Sequence, residues 1–224
     1  MEKNDSKLAS AIINKIRRDS RINDAMVDVG VRRGHVLLTG IVPTYKKKLA
    51  IQLKVKRTRG VTSVENRMEV LYAGEHGSPS DELIQNTAEA LLSANPDIDA
   101  SKILVAANTG VLTLKGSVTW FWQLHRVEDL VSNIIGVVDV KNELTVVPSE
   151  KISDEIIARE IVAELEQADH ADPGKILVEV KNGSVILSGS VRTYLAEQEA
   201  YEAAIQQAGV TLVVNNISIA PIGA

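Results

Sequence analysis

Ile176-Leu177-Val178-Glu179-Val180-Lys181-Asn182-Gly183-Ser184-Val185-Ile186-Leu187-Ser188-Gly189-Ser190-Val191 is the stretch that decides the fold. Apolar residues alternate along both arms: Ile176, Val178 and Val180 before the centre, Val185, Leu187 and Val191 after it. Such alternation marks half-buried strands. Asn182-Gly183 between the arms is a tight-hairpin signal, because both residue types tolerate positive φ. Gly189 falls at an inward position of the second arm, which predicts a close approach of another backbone or helix, or a bulge.

The same hairpin occurs three times. Gly183, Gly189 and Gly209 share their spacing with Gly34, Gly40 and Gly60 and with Gly110, Gly116 and Gly136. Behind the third glycine of each set stand Val, Val and Asn in one register: Val61, Val64 and Asn66; Val137, Val140 and Asn142; Val210, Val213 and Asn215. The other hairpins carry Val27, Val29, Val31 with Val36, Leu38, Val42, and Ile103, Val105, Ala107 with Leu112, Leu114, Val118. Their turns are Arg33-Gly34 and Thr109-Gly110.

Helical patterns flank each hairpin. Upstream run Leu8, Ile12, Ile16; Ile84, Ala88, Leu91, Leu92; and Ile156, Ile161, Leu165, with Ser6, Ser80 and Ser153 as expected N-caps. Downstream, segments 44–58, 119–134 and 193–207 carry Ile51/Val55, Val127/Val131 and Ala200/Ala204 at helical spacing. The third glycine of each set is the expected left-handed residue ending this helix. A last strand is expected near 64–71, 140–147 and 213–219. The fold class is therefore α+β: three tandem small domains, each α-β-β-α-β, with a three-stranded sheet covered on one face by two helices. The expected boundaries are 1–72, 80–148 and 152–220, with linkers at Tyr72–Ser80 and Pro148–Lys151.

The hairpin glycines, the strand glycines and the closing Gly-Val-x-x-Val-x-Asn at 60–66, 136–142 and 209–215 resemble the BON domain, named for bacterial osmotically inducible and nodulation proteins. The resemblance covers nearly the whole chain. It implies the α-β-β-α-β fold already read from the residues. It also implies a non-catalytic role in osmotic or envelope stress, binding phospholipid surfaces. Many relatives are periplasmic or lipid-anchored with two copies. Another relative pairs one BON domain with a LysM domain and senses potassium, and no LysM segment is recognisable in this chain.

Aromatics make up 3% of the chain, so the cores must be built from Val, Ile, Leu and Ala. The absence of cysteine excludes disulfides, Cys-ligated metal and Cys nucleophiles. No run of apolar residues is long enough for a membrane span. The first residues carry no apolar h-region and no cleavage site, which reads as cytoplasmic, or as periplasmic where a leader has been removed.

Charge is divided unevenly. Residues 1–72 hold 16 Lys/Arg against 7 Asp/Glu, residues 73–148 hold 4 against 10, and residues 149–224 hold 5 against 12. Much of the basic excess lies on and around one expected helix, as Lys46, Lys47, Lys48, Lys54, Lys56, Arg57 and Arg59. Interleaved with Leu49, Ile51, Leu53 and Val55, these residues suit an anionic membrane surface. The competing readings are a solvated helix face and a face docked on the acidic copies. Nucleic acid is disfavoured, because Tyr45 is the only aromatic beside that helix.

Trp120 and Trp122 open the second helix of the middle copy and have no counterpart in the other two, which suits a membrane-interface or partner contact, or packing against a neighbouring copy. Phe121 aligns with Tyr45 and Tyr194 and reads as core. His35 (in a hairpin turn), His76 (in a linker), His125 and His170 form no ligand pair with metal spacing, so no metal or cofactor is expected. Acidic pairs such as Asp154/Glu155 and Glu164/Glu166 read as solvated helix faces. No Walker, nucleophile-elbow or dinucleotide motif is present. The sequence reads as a non-enzymatic protein binding anionic phospholipid surfaces through its basic first domain. The alternatives are a scaffold that binds protein partners or self-associates, and a potassium-binding sensor.

Overall fold

The computed structural model describes residues 2–23, 25–72 and 77–220. His76 and part of the first linker lie outside them. The first unit runs α1 (Glu2–Arg17), β1 (Met26–Arg32), β2 (His35–Val42), α2 (Tyr45–Lys56), β3 (Ser63–Asn66) and β4 (Glu69–Val70). The second runs α3 (Asp81–Ser93), β5 (Ile103–Asn108), β6 (Val111–Val118), α4 (Phe121–Val131) and β7 (Asp139–Val146). The third runs α5 (Asp154–Glu166), β8 (Ile176–Lys181), β9 (Ser184–Val191), α6 (Tyr194–Ile205) and β10 (Leu212–Ile219). The α+β fold is thus built three times from one plan.

In each sheet the second strand is central. It pairs antiparallel with its hairpin partner and parallel with the last strand. The repeated Val of the closing motif sits across from the inward residue of the central strand: Val64 from Val36, Val140 from Leu112, Val213 from Val185. The last strand of the first unit is divided at Arg67–Met68 into β3 and β4. Both pieces keep one offset, with Leu38 opposite Asn66 and Val42 opposite Val70.

The hairpins close with two-residue turns in which both residues have positive φ: Arg33 and Gly34 (52° and 82°), Thr109 and Gly110 (49° and 75°), Asn182 and Gly183 (50° and 74°). This is the mirror-image turn that matches strand twist. Each turn is also held from the side. Asp81 accepts from the backbone N–H groups of Thr109 (2.7 Å) and Gly110 (2.9 Å), and Asp154 from those of Asn182 (2.7 Å) and Gly183 (2.9 Å). The equivalent Asp5 accepts from Arg33 N–H at 3.0 Å. Asp154 is therefore a clasp between helix and hairpin rather than part of a solvated face.

A second clasp explains the repeated Asn. Asn142 donates to the Leu124 carbonyl at 2.9 Å, Asn66 to Gln52 and Asn215 to Glu197, while each Asn accepts from the backbone N–H two residues on. The last strand is thereby tied to the second helix.

Several local expectations change. Ser80 and Ser153 do cap α3 and α5, but Ser6 lies inside α1, which starts at Glu2. Ile157 rather than Ile156 enters the core of the third unit, and Leu91 is exposed beside buried Leu92. Gly60, Gly136 and Gly209 have positive φ but stand in a turn beyond the helix caps Arg57, Ser132 and Gln206. The close approach of another backbone expected at Gly189 is found at all three strand glycines, Gly40, Gly116 and Gly189, and comes from the start of the adjacent strand or the residue just before it. A Cβ there would meet the carbonyl oxygen of Met26, Lys102 or Lys175. His35 is the first residue of β2 rather than part of the turn.

Candidate anionic-surface site and the junctions between units

Thr44 opens α2 by accepting from the N–H of Lys47 at 3.2 Å. Ile51 and Val55 face the core, which leaves the lysines on the flanks. Those flanks face the neighbouring units. Lys46 pairs with Asp129 of α4, and its backbone N–H donates to the Ser132 carbonyl at 3.1 Å. Lys56 lies over the Tyr194 ring, 5.5 Å from its centroid, and Arg57 donates to Gln198 at 3.0 Å. Lys54 turns the other way and pairs with Asp19 at 2.5 Å. Lys47 and Lys48 are half-buried, while Arg57 and Arg59 are exposed.

A basic groove of about 990 Å³ runs between the end of α1 and α2. Lys15, Arg18 and Arg21 line it from one side, Lys46, Lys47 and Arg57 from the other. Lys15, Arg18 and Arg21 are exposed, and the sequence reading did not assign them to the surface. The signal for them was available: two amphipathic helices covering one sheet must bring their polar flanks together. Asp19 lies inside the groove. Hydrogen bonds from Arg21 first, then Lys54, hold its carboxyl far below the usual carboxylate range.

The junctions between units follow one rule. The first residue of each second helix points into the next unit. Tyr45 is 7% exposed and packs with the core of the second unit, joined by Leu49 and Val70. Phe121, also 7% exposed, packs with the core of the third unit, joined by Leu124 and Val146. It is core, as expected, but of its neighbour. Tyr194 reaches back to the first unit, where it is half-buried under Lys56. The junctions thus run from first to second, second to third, and third to first, closing the units into a ring around α2, α4 and α6.

Polar groups meet along these junctions. The Tyr45 hydroxyl donates to Glu128 at 3.4 Å. Burial pushes the Tyr45 hydroxyl pKa up, helped by the Glu128 charge, and burial also raises that of Glu128. His125 Nε2 lies 2.8 Å from the Tyr201 hydroxyl, and burial pulls its pKa down. Trp120 is 37% exposed at the N-cap of α4. It has no oxygen for capping, and buried Gln123 serves instead by accepting from the N–H groups of Thr119 and Trp120, each at 2.9 Å. Trp122 is half-buried.

Among the described residues there is no group of three or more His, Asp or Glu that could hold a metal ion, and no helix is long and apolar enough to cross a membrane.

Three α-β-β-α-β units, joined by buried side chains and with a basic face on the first, define a tandem α+β protein. The chain belongs to the BON domain family: the family model matches residues 4–72, 80–148 and 153–221. BON domains are a non-catalytic binding type associated with stress-related proteins. No curated protein matches the chain. Among solved structures, the C-terminal domain of CdsD, the structural protein of the type III secretion system of Chlamydia trachomatis, is 19% identical, over 96% of this chain and 98% of that one, at a TM-score of 0.27. A second CdsD structure is 18% identical, over 97% and 94%, at 0.28. Likeness at that level says nothing about what this chain binds.

Proposed function

We propose that the protein is a non-catalytic binder of anionic phospholipid surfaces, acting through its basic first unit. The observation that carries this reading is the groove where exposed Lys15, Arg18 and Arg21 stand beside Lys47, on a unit far more basic than its two acidic neighbours. Each basic residue near an anionic surface adds about 1 kcal/mol of attraction. The acidic units turn the molecule so that this face leads. The contact surface is then the end of α1 with the outer flank of α2, because the inner flank is engaged by Asp129, Gln198 and Tyr194.

Co-sedimentation of the full chain with vesicles tests this. Vesicles containing anionic lipid should bind it and neutral vesicles should not. Binding should weaken steeply with salt, since the Debye length is about 8 Å at physiological ionic strength. Replacing Lys15, Arg18, Arg21 and Lys47 with Gln should remove most of the binding, whereas replacing Lys175 and Lys181 of the third unit should leave it. Equal binding by the first variant and the parent would reject this surface.

A second reading, a scaffold for protein partners, is favoured by the outer sheet face of the third unit. Leu177, Ile186, Leu212 and Val214 are all exposed there, with Ile186 and Val214 paired across β9 and β10.

A further inference from the structure

The three junctions are alike in plan but differ in how well they are filled. At the first two, an aromatic ring is buried in the next unit's core. At the third, between the third unit and the first, Tyr194 remains half-buried, and Gln198 stands where the first junction has Leu49. A cleft of about 530 Å³ stays open there, continuous through Lys56, Val61, Tyr194 and Ile219 with a second hollow of about 560 Å³. Each is within the range of roughly 300–1,000 Å³ typical of small-molecule sites.

We propose that this cleft binds a single-chain amphipathic anion, an acyl chain ending in a carboxylate or similar head group. Its apolar lining is formed by buried Val61, half-buried Tyr194 and Ile219, and exposed Leu195 at its edge. Its rim is cationic, formed by Lys56, Arg57, Arg59 and Arg192, with His170 beside them. Among the described residues no acidic side chain lines it, though His170 is itself held by Glu199, 2.6 Å from its Nδ1. An apolar slot with a one-sided positive rim complements a ligand that is apolar along its length and negative at one end. The adjoining hollow has one acidic lining residue, Glu197, whose carboxyl is engaged by Asn215 at 3.0 Å and raised in pKa by burial. That end of the site suits the chain rather than the head. The ligand proposed is one dispersed molecule rather than a bilayer surface; Arg57 lines both this cleft and the basic groove, but Arg192 and Leu195 line only the cleft, which keeps the two readings separable.

Isothermal titration calorimetry of the full chain with monomeric dodecanoate tests the site. Dodecanoate should bind once per chain. Butyrate, which lacks the chain, and dodecyltrimethylammonium, which reverses the charge, should bind far more weakly. Arg192→Gln should weaken dodecanoate binding about ten-fold, as for the loss of one charge-assisted contact. Leu195→Trp should block the slot while leaving the melting temperature near that of the parent, since Leu195 is exposed. Equal binding of dodecanoate by both variants and the parent would overturn the proposal, and so would equal binding of the cationic analogue. Both variants lie on the third unit and should keep vesicle binding, while the Lys15, Arg18, Arg21 and Lys47 variant should keep dodecanoate binding. Failure of one reading is therefore distinguishable from failure of the other.

Discussion

Gly110 and Gly136 stand back to back: a Cβ added to Gly110 would lie 2.5 Å from the carbonyl oxygen of Gly136. The same pairing recurs between Gly34 and Gly60 at 2.8 Å and between Gly183 and Gly209 at 2.5 Å. The hairpin turn therefore rests on the loop that follows the second helix. Just beyond that loop, the N–H of Val138 donates to the Gly110 carbonyl at 2.9 Å. Two of the repeated glycines are thus one structural device, and the spacing between them is the length of chain needed to cross the sheet and return.

Gly110→Ala should cost at least about 2 kcal/mol, since the left-handed conformation and the clash act together. Gly77→Ala is the control. Its φ is also positive, at 79°, but no atom of the described residues lies within 4 Å of the added Cβ, so the conformational cost of about 1 kcal/mol is the one expected. Urea denaturation of the two variants decides. Equal losses would show that the Gly136 carbonyl moves aside without cost.

Thr109→Asn should stabilise the middle unit by about 0.5–1 kcal/mol. Thr109 is β-branched and sits at φ 49°, a region that Asn enters more readily. The third unit already has Asn182 at the equivalent turn, with φ 50°. The backbone N–H bond to Asp81 is independent of the side chain and should survive. A lower denaturation midpoint for the variant would count against strain at this turn.

Much of the fold was legible because it depends on local chemistry. Asn182-Gly183 and the alternation of Val185 and Leu187 specify a hairpin whatever surrounds it. The third glycines were legible as left-handed residues, but their distance from the helix end was not, since a turn after the cap leaves no distinct spacing. At Gly116 the close approach of another backbone was legible and is supplied by the Lys102 carbonyl, but alternation puts the residue inward, whereas its φ of 123° makes it a local departure from the pleat. The ring was not legible at all. Aligned Tyr45, Phe121 and Tyr194 announce burial, but alignment cannot say whose core they enter. The lysines of α2 suffered from the same gap: a run of charge reads as one surface until the partners on each flank are known.

Asp154 gives a pH dependence whose sign follows from its clasp. The N–H groups of Gly183 and Asn182 hold its carboxyl below the usual aspartate range. A depressed folded pKa means that the contribution is present above the unfolded value of about 3.9 and is lost as pH falls through the folded value. Asp154→Asn should therefore lower the urea midpoint of the third unit at pH 7. The gap between variant and parent should narrow as the pH is taken below that of an ordinary aspartate. A gap that stays constant across this range would mean that the carboxylate charge contributes nothing to the clasp.

The unequal junctions make the sharpest prediction, because three aligned residues should respond differently to one substitution. Phe121→Ala removes a ring that is 7% exposed and belongs to the buried core of the next unit. Loss of a buried ring of this kind costs about 3–5 kcal/mol. Tyr45→Ala should cost a similar amount, somewhat offset because its hydroxyl and Glu128 are drawn into a poorly solvated site. Tyr194→Ala should cost only about 1 kcal/mol, since its ring is half-buried and lies beside an open cleft. The first two variants should also loosen the ring, so that amide hydrogen exchange quickens across α4 in one case and α6 in the other. In Tyr194→Ala the change should be confined to the end of α2 near Lys56. Three equal losses of stability would mean that the third junction is packed as tightly as the others. The open cleft and the binding site inferred from it would then have to be given up together.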